Sequence, residues 1–262
     1  MLPVLFSIGP FSVSSFGLFL ALAFLYGTFL IWRLARAWDL DAEKVLDLTL
    51  LTFFGGLLGS RIYFIIQHLD FFGFDVIKMI AITKYPGFSF WGAFLGGWLA
   101  LYFFIKRFKL EFWQMADIAA TGFLGSMILG NIGCLLGGCS VGVESNLFFA
   151  VKVVGMVGQR FPIQGLEAVA YAVALYFLWP KAIHFHTPGK IVSWVLILTG
   201  IIKFIAEFFR AESMGGHFFA LTLILLGFGI LHKISKRTMQ EEGKNLAKNL
   251  NKFKLKITGN KI

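Results

Sequence analysis

Long apolar runs recur along this chain, and nothing else in the sequence restricts its fold so strongly. A helix needs about twenty apolar residues to cross the hydrocarbon core of a bilayer. Segments of that kind stand at about 12–32, 46–66, 87–105, 113–135, 163–183, 190–209 and 216–232. Backbone groups in hydrocarbon must be satisfied within their own segment, so each run is expected to be helical. The predicted fold class is therefore all-α, a polytopic membrane protein of about seven transmembrane helices. Composition agrees: of 262 residues 58% are apolar, only 15% are charged, and 32 are Phe. Residues 1–32 contain no Lys or Arg, so no basic stretch precedes the first run, and that helix is expected to act as its own insertion signal.

Basic residues set the orientation. With the N-terminus outside, Arg33, Arg36, Lys44, Lys106, Arg107, Lys109, Lys181 and Lys190 fall on the inner side, against Lys78, Lys84, Lys152, Arg160 and Arg210 outside. The tail from Lys233 to Lys261 adds nine more inside, so the excess of cytoplasmic cations predicts an outer N-terminus and a cytoplasmic C-terminus. The expected organisation is a transmembrane domain over 1–232 and a basic cytoplasmic tail over 233–262. The formal charge of +10 is concentrated in that tail, which suits anionic membrane lipid better than nucleic acid. Cys134 and Cys139 form neither a disulfide framework nor a metal pattern, and no metal or cofactor is expected.

Charge inside the apolar runs directs attention to function. IIKFIAEFFR at 201–210 puts Lys203, Glu207 and Arg210 on one helical face, where Lys203 and Glu207 are spaced to pair. Arg61 lies about five residues from the outer end of the second run, and Arg160, Gln164 and Glu167 open the fifth. In the predicted orientation these groups share one depth near the outer surface. Ionisable groups at membrane depth are costly and mark functional paths. Cations in excess at the headgroup level suit an anionic lipid phosphate, which Arg grips with two parallel hydrogen bonds and Lys as a point charge. A structural ion pair between helices is the plainer alternative for Lys203 and Glu207, and snorkelling is adequate for Arg160 and Arg210.

Glycine is the second signal. Gly55, Gly56 and Gly59, then Gly92, Gly96 and Gly97, then Gly122, Gly125, Gly130 and Gly133 recur at close spacings that let helices approach one another. The run from Asn131 to Gly142 differs, because Gly137, Gly138 and Gly142 are expected to break the helix near the outer surface, where open backbone must line a cavity.

Six motifs, in order, resemble the prolipoprotein diacylglyceryl transferase family. They are FSIGPFSVSSFGL at 6–18, GGLLGSRIYF at 55–64, GFSFWGAFLGG at 87–97, NIGCLLGGCSVG at 131–142, RFPIQGLEA at 160–168 and KFIAEFFR at 203–210. The resemblance covers about residues 4–232. It implies transfer of diacylglyceryl from phosphatidylglycerol to the lipobox cysteine of lipoprotein precursors in the bacterial inner membrane, with glycerol phosphate leaving. It also implies catalytic roles for Lys203, Arg61 and Glu207, and substrate contacts at Asn131, Gly142, Trp91, Gly92, Arg160, Gln164, Glu167 and Arg210. Its implied partners are phosphatidylglycerol, prolipoprotein signal peptides and membrane lipids.

The chain departs from the family pattern at Trp91, which stands where a His is usual, at Phe16 for Tyr, at Asn131 for Arg and at Lys203 for Arg. A leaving phosphate needs cations where charge develops, for which Lys203 and Arg61 are the candidates, with Asn131 as a neutral donor. A thiol of pKa about 8.5 also needs a base or a positive field. A desolvated Lys203 beside Arg61 could take the proton, as could His68 or His217 folded over the pocket. The alternative is a paralogue that binds phospholipid or lipoprotein without transfer, and a transporter is disfavoured because the charges gather outside mid-membrane.

Overall fold

The computed structural model describes residues 4–8, 11–73, 75–80, 85, 87, 89–148, 150–153, 157–184, 187–211 and 216–236. A small antiparallel hairpin, β1 (Val4–Ile8) and β2 (Phe11–Ser14), leads into α1 (Ser15–Ala37) and α2 (Ala42–Gln67). Two short helices follow, α3 (Leu69–Phe72) and α4 (Val76–Ile80), then α5 (Phe90–Phe108) and α6 (Phe112–Gly137). Strands β3 (Val151–Lys152) and β4 (Gln159–Arg160) pair ahead of α7 (Ile163–Ile183) and α8 (Lys190–Glu207). A last helix, α9, spans Gly216–Lys236.

A helix thus forms over every one of the apolar runs. Five of them, α1, α2, α6, α7 and α9, are long and apolar enough to cross a membrane. At 1.5 Å per residue their 21 to 26 residues extend about 31–39 Å, against a hydrocarbon core of about 30 Å. The eighteen residues of α8 carry Lys190, Lys203 and Glu207, and the nineteen of α5 end on Lys106 and Arg107. Large apolar side chains such as Leu58, Tyr176, Phe177 and Leu225 point out of the bundle, the pattern of a helical multi-pass membrane protein whose surroundings are lipid.

Glycines draw helices together as expected. On α2 and α5, a Cβ on Gly59 would fall 2.5 Å from the Gly92 carbonyl oxygen and 2.7 Å from the Gly96 Cα. These two helices therefore touch backbone to backbone. On α1 and α6, Gly27 faces Gly122 and Ser126, whose hydroxyl donates to the Ala23 carbonyl at 2.9 Å. Between these pairs a core built on Leu34, Ile118, Leu124, Tyr171, Leu175 and Val195 joins α1, α6, α7 and α8.

At the lower end, where α6 begins, Asp117 is fully buried. Its carboxylate accepts from the amides of Gly189 and Val192, both at 2.7 Å, and so caps the N-terminus of α8. Trp38, just past α1, donates its indole N–H to the Ala182 carbonyl at 2.8 Å, tying α1 to the last turn of α7. Arg33 lies over Trp179 at 5.6 Å, an aromatic and cationic grouping typical of a membrane boundary.

Several expected boundaries shift. The first helix begins at Ser15, because residues 12–14 belong to β2. The last helix runs through Lys236, four residues beyond the expected span, and 237–262 lie outside the described residues.

Candidate functional site

Glu167 sits one turn into α7 and is 2% exposed. Its two carboxylate oxygens are divided between two partners. Lys203 of α8 donates to Oε2 at 2.6 Å, and Arg210, just past α8, donates to Oε1 at 3.1 Å. Both cations keep part of their side chain open, 24% for Lys203 and 28% for Arg210. Glu207 is 8% exposed, lies 3.8 Å from the Arg210 guanidinium, and packs its carboxylate against Gly216 at the start of α9.

The partner of Lys203 is thus Glu167 on the neighbouring helix, rather than Glu207 four residues along its own. Glu207 turns toward α9 while Lys203 turns toward α7. Among the described residues, two carboxylates face two cationic side chains in this cluster. The Lys203 amine is committed to Glu167 as a donor.

The frame of the cluster is a lacing of main-chain hydrogen bonds. After Gly137 the helix α6 stops, and Gly138 takes the left-handed conformation (φ +76°), as the glycine run predicted. The following segment runs between the end of α8 and the lead-in to α7. The Val143 amide donates to the Phe209 carbonyl, that of Ala211 to Val141, that of Phe161 to Val143 and that of Ser145 to Gln159, each at 3.0 Å. Gly142 opposes Arg210 across this lacing, and a side chain there would strike the Phe161 carbonyl. Phe161 stacks on Phe209 at 4.9 Å beside Ile163 and Ala206. Gln164 donates to the backbone carbonyl and the hydroxyl of Ser140, the latter at 2.9 Å. The ends of α6, α7 and α8 are therefore registered to one another, and with them Glu167, Lys203 and Arg210.

The other expected site residues fall into separate groups. Arg160 pairs with the exposed Glu144 at 3.0 Å. Asn131, in α6, is buried and donates to the Met127 carbonyl of its own helix at 2.8 Å. Gly92 belongs to the α2–α5 crossing. Trp91 stands in the first turn of α5, and its side chain lies outside the described residues.

Arg61 is buried and shares no hydrogen bond or ion pair with Lys203 among the described residues. Its Nε donates to the Met79 carbonyl at 3.0 Å, and one terminal nitrogen donates to Tyr85 at 2.9 Å and Gly87 at 3.0 Å. The guanidinium also lies over the rings of Phe64 and Phe72. It ties the carbonyls of Met79, Tyr85 and Gly87 to α2.

His68 takes up the Phe64 carbonyl at 3.0 Å and packs on that ring, while His217 is wedged between Phe204 and Phe208. Residues not anticipated from the sequence include Ser140, which anchors Gln164, and Tyr171, one turn below Glu167. The Tyr171 ring is fully buried and lies 6.0 Å from the Lys203 ammonium, within cation–π reach. The spacing of four residues from Glu167 was the available signal for Tyr171.

These features define a helical multi-pass membrane protein with an ion-paired polar cluster, built from three helix ends, at one end of its bundle. The family model described as prolipoprotein diacylglyceryl transferase matches residues 3–233. The chain belongs to that family. A Clostridium perfringens protein named phosphatidylglycerol–prolipoprotein diacylglyceryl transferase 2 is 27% identical over 251 residues, 91% of this chain and 97% of that protein. A Pasteurella multocida protein named phosphatidylglycerol–prolipoprotein diacylglyceryl transferase is 32% identical over 215 residues, 79% of this chain and 78% of its own length. One of the same name from Rhodopirellula baltica is 33% identical over 137 residues, where the match takes in 50% of this chain and 27% of that longer protein.

Proposed function

We propose that this protein is a transferase that moves diacylglyceryl from phosphatidylglycerol to the cysteine thiol of lipoprotein precursors. The reading is carried by the family match over residues 3–233, which takes in every segment of the ion-paired cluster. All seven long helices cross the bacterial inner membrane in this reading, with the N-terminus outside and the cluster at the outer surface. The distribution of Lys and Arg between the two sides supports that orientation.

In the reaction the thiol loses its proton, the sulfur bonds to the glyceryl carbon, and the carbon–oxygen bond to phosphate breaks. Glycerol phosphate leaves as an anion. Charge therefore develops on phosphate oxygens, and Lys203 and Arg210 meet them with the donors that Glu167 leaves free. Glu167 is a positioning residue that holds both cations at fixed separation. Arg61 has an indirect role, holding the Tyr85 and Gly87 carbonyls ahead of α5 against α2. Glu207 and the lacing at Gly142 keep Arg210 in place, Gln164 ties the start of α7 to Ser140, and Asn131, Gly92 and Arg160 hold the helices and loop around the cluster. The precursor's signal peptide and its lipobox cysteine approach from the lipid. No observation favours a lipid binder without transfer.

The test is complementation of a bacterium depleted of its own transferase, with mass spectrometry of a model lipoprotein. A diacylglyceryl mass increment that requires this protein, and disappears with Lys203→Met, is the expected result. A precursor whose cysteine stays unmodified beside well-expressed, folded protein would overturn the reading.

A further inference from the structure

Neither cysteine takes part in the mechanism above, yet the two are brought together at the end of α6. Cys134 is half-buried in the last turn and Cys139 is exposed just beyond it. The helix ends through Gly138 at φ +76°, and the amides of Gly138 and Cys139 both donate to the Cys134 carbonyl, at 2.9 and 3.1 Å. In this cap the chain folds back so that the two side chains five residues apart meet; an apolar contact usually fills that place. Here both positions that the cap brings together carry a thiol, Cys134 and Cys139.

We propose that Cys134 and Cys139 are an oxidative modification site, a dithiol that closes to an intramolecular disulfide by exchange with an external disulfide. The exposed Cys139 thiolate attacks one sulfur of that disulfide, the S–S bond breaks, and the departing thiolate takes up a proton. Cys134 then loses its proton to solvent and attacks the Cys139 sulfur, expelling the second external thiol. In sum two protein thiols lose two electrons and two protons, and the external disulfide is reduced to two thiols. The closed loop is short, so the bond constrains the unfolded chain little and the pair is poised to open and close rather than to staple the fold.

Closure acts on the site through the residues that follow. Ser140 holds Gln164, while Val141 and Gly142 are laced to Ala211 and Arg210. A covalent bond across the cap fixes the start of that segment. The proposal rests on the outward orientation taken above for the supply of oxidant, since the exterior of the inner membrane is where disulfides persist. Its test does not use transfer activity.

The full-length protein in detergent micelles is equilibrated with reduced and oxidised glutathione over a range of ratios, then quenched, alkylated and weighed intact. Alkylatable thiols are expected to fall from two per chain to none with no glutathione retained. Amide exchange at Val143 and Ala211 is expected to slow in the oxidised form. Cys134→Ser, or Cys134→Ala should serine prevent folding, halts at a glutathione adduct on Cys139. Two thiols that persist at every ratio, or wild-type adducts on Cys139 that never resolve, would overturn the site. Closure that leaves exchange at Val143 and Ala211 unchanged would overturn its coupling to the lacing. Failure of complementation with normal closure refutes the function and leaves this site standing.

Discussion

Glu167→Gln keeps the volume of a buried side chain and removes its charge, which makes it the sharpest probe of the cluster. The carboxylate is 1% exposed, and its cations at 2.6 and 3.1 Å are 24% and 28% exposed. Removing one partner of a buried ion pair costs about 3–5 kcal/mol, because the other charge is left stranded. Here the stranded groups reach the rim and are partly solvated, and Arg210 keeps Glu207 at 3.8 Å. The lower end applies, a loss of about 3 kcal/mol. For a chain of this size that lowers the thermal midpoint by about 6–12 °C.

The assay is tryptophan fluorescence during heating of purified variants in one detergent. Glu144→Gln is the control, since its pair with Arg160 has a carboxylate 74% exposed and is worth about 0–1 kcal/mol. Adding Lys203→Met to Glu167→Gln should restore part of the loss, because one uncompensated charge is then gone. If Glu167→Gln melts no lower than Glu144→Gln, the cluster does not fasten α7 to α8 and the reasoning fails.

Three further substitutions test the frame. A Cβ at Gly96 would lie 2.8 Å from the Gly59 Cα, so Gly96→Ala should cost about 1–3 kcal/mol by forcing α2 and α5 apart. Gly130 has open space at its Cβ position, so Gly130→Ala should stabilise by up to about 1 kcal/mol; both are read as thermal midpoints. Asp117→Asn leaves one carbonyl oxygen for two amides at the start of α8, and should cost about 1–2 kcal/mol, with faster amide exchange at Val192 than at Leu198.

The helices were legible because hydrocarbon demands long uninterrupted apolar runs, and the run at 163–183 coincides with α7. The break after Gly137 was legible for a similar reason, since Gly138 adopts a conformation that glycine reaches without strain. Partner choice was not. Spacing makes Glu207 a neighbour of Lys203, but the rotation of α8 against α7 and α9 assigns Lys203 to Glu167. Predicted depth brought Arg61 near the same surface, yet depth does not say which carbonyls turn inward, and those of Met79, Tyr85 and Gly87 do. Asp117 lies near the start of an apolar run, but that the helix it caps is α8 depends on a contact more than seventy residues away. Strands of two residues, such as β3 and β4, are too short to show any periodicity.

The lacing that joins α6, α7 and α8 is made by amides of Val143, Ser145, Phe161 and Ala211 reaching carbonyls, groups that nearly every amino acid supplies. These stitches therefore do not depend on which side chain each donor carries. Proline at any of those four donors would remove a stitch, and at Gly142 any larger residue would push the ribbon off its neighbour.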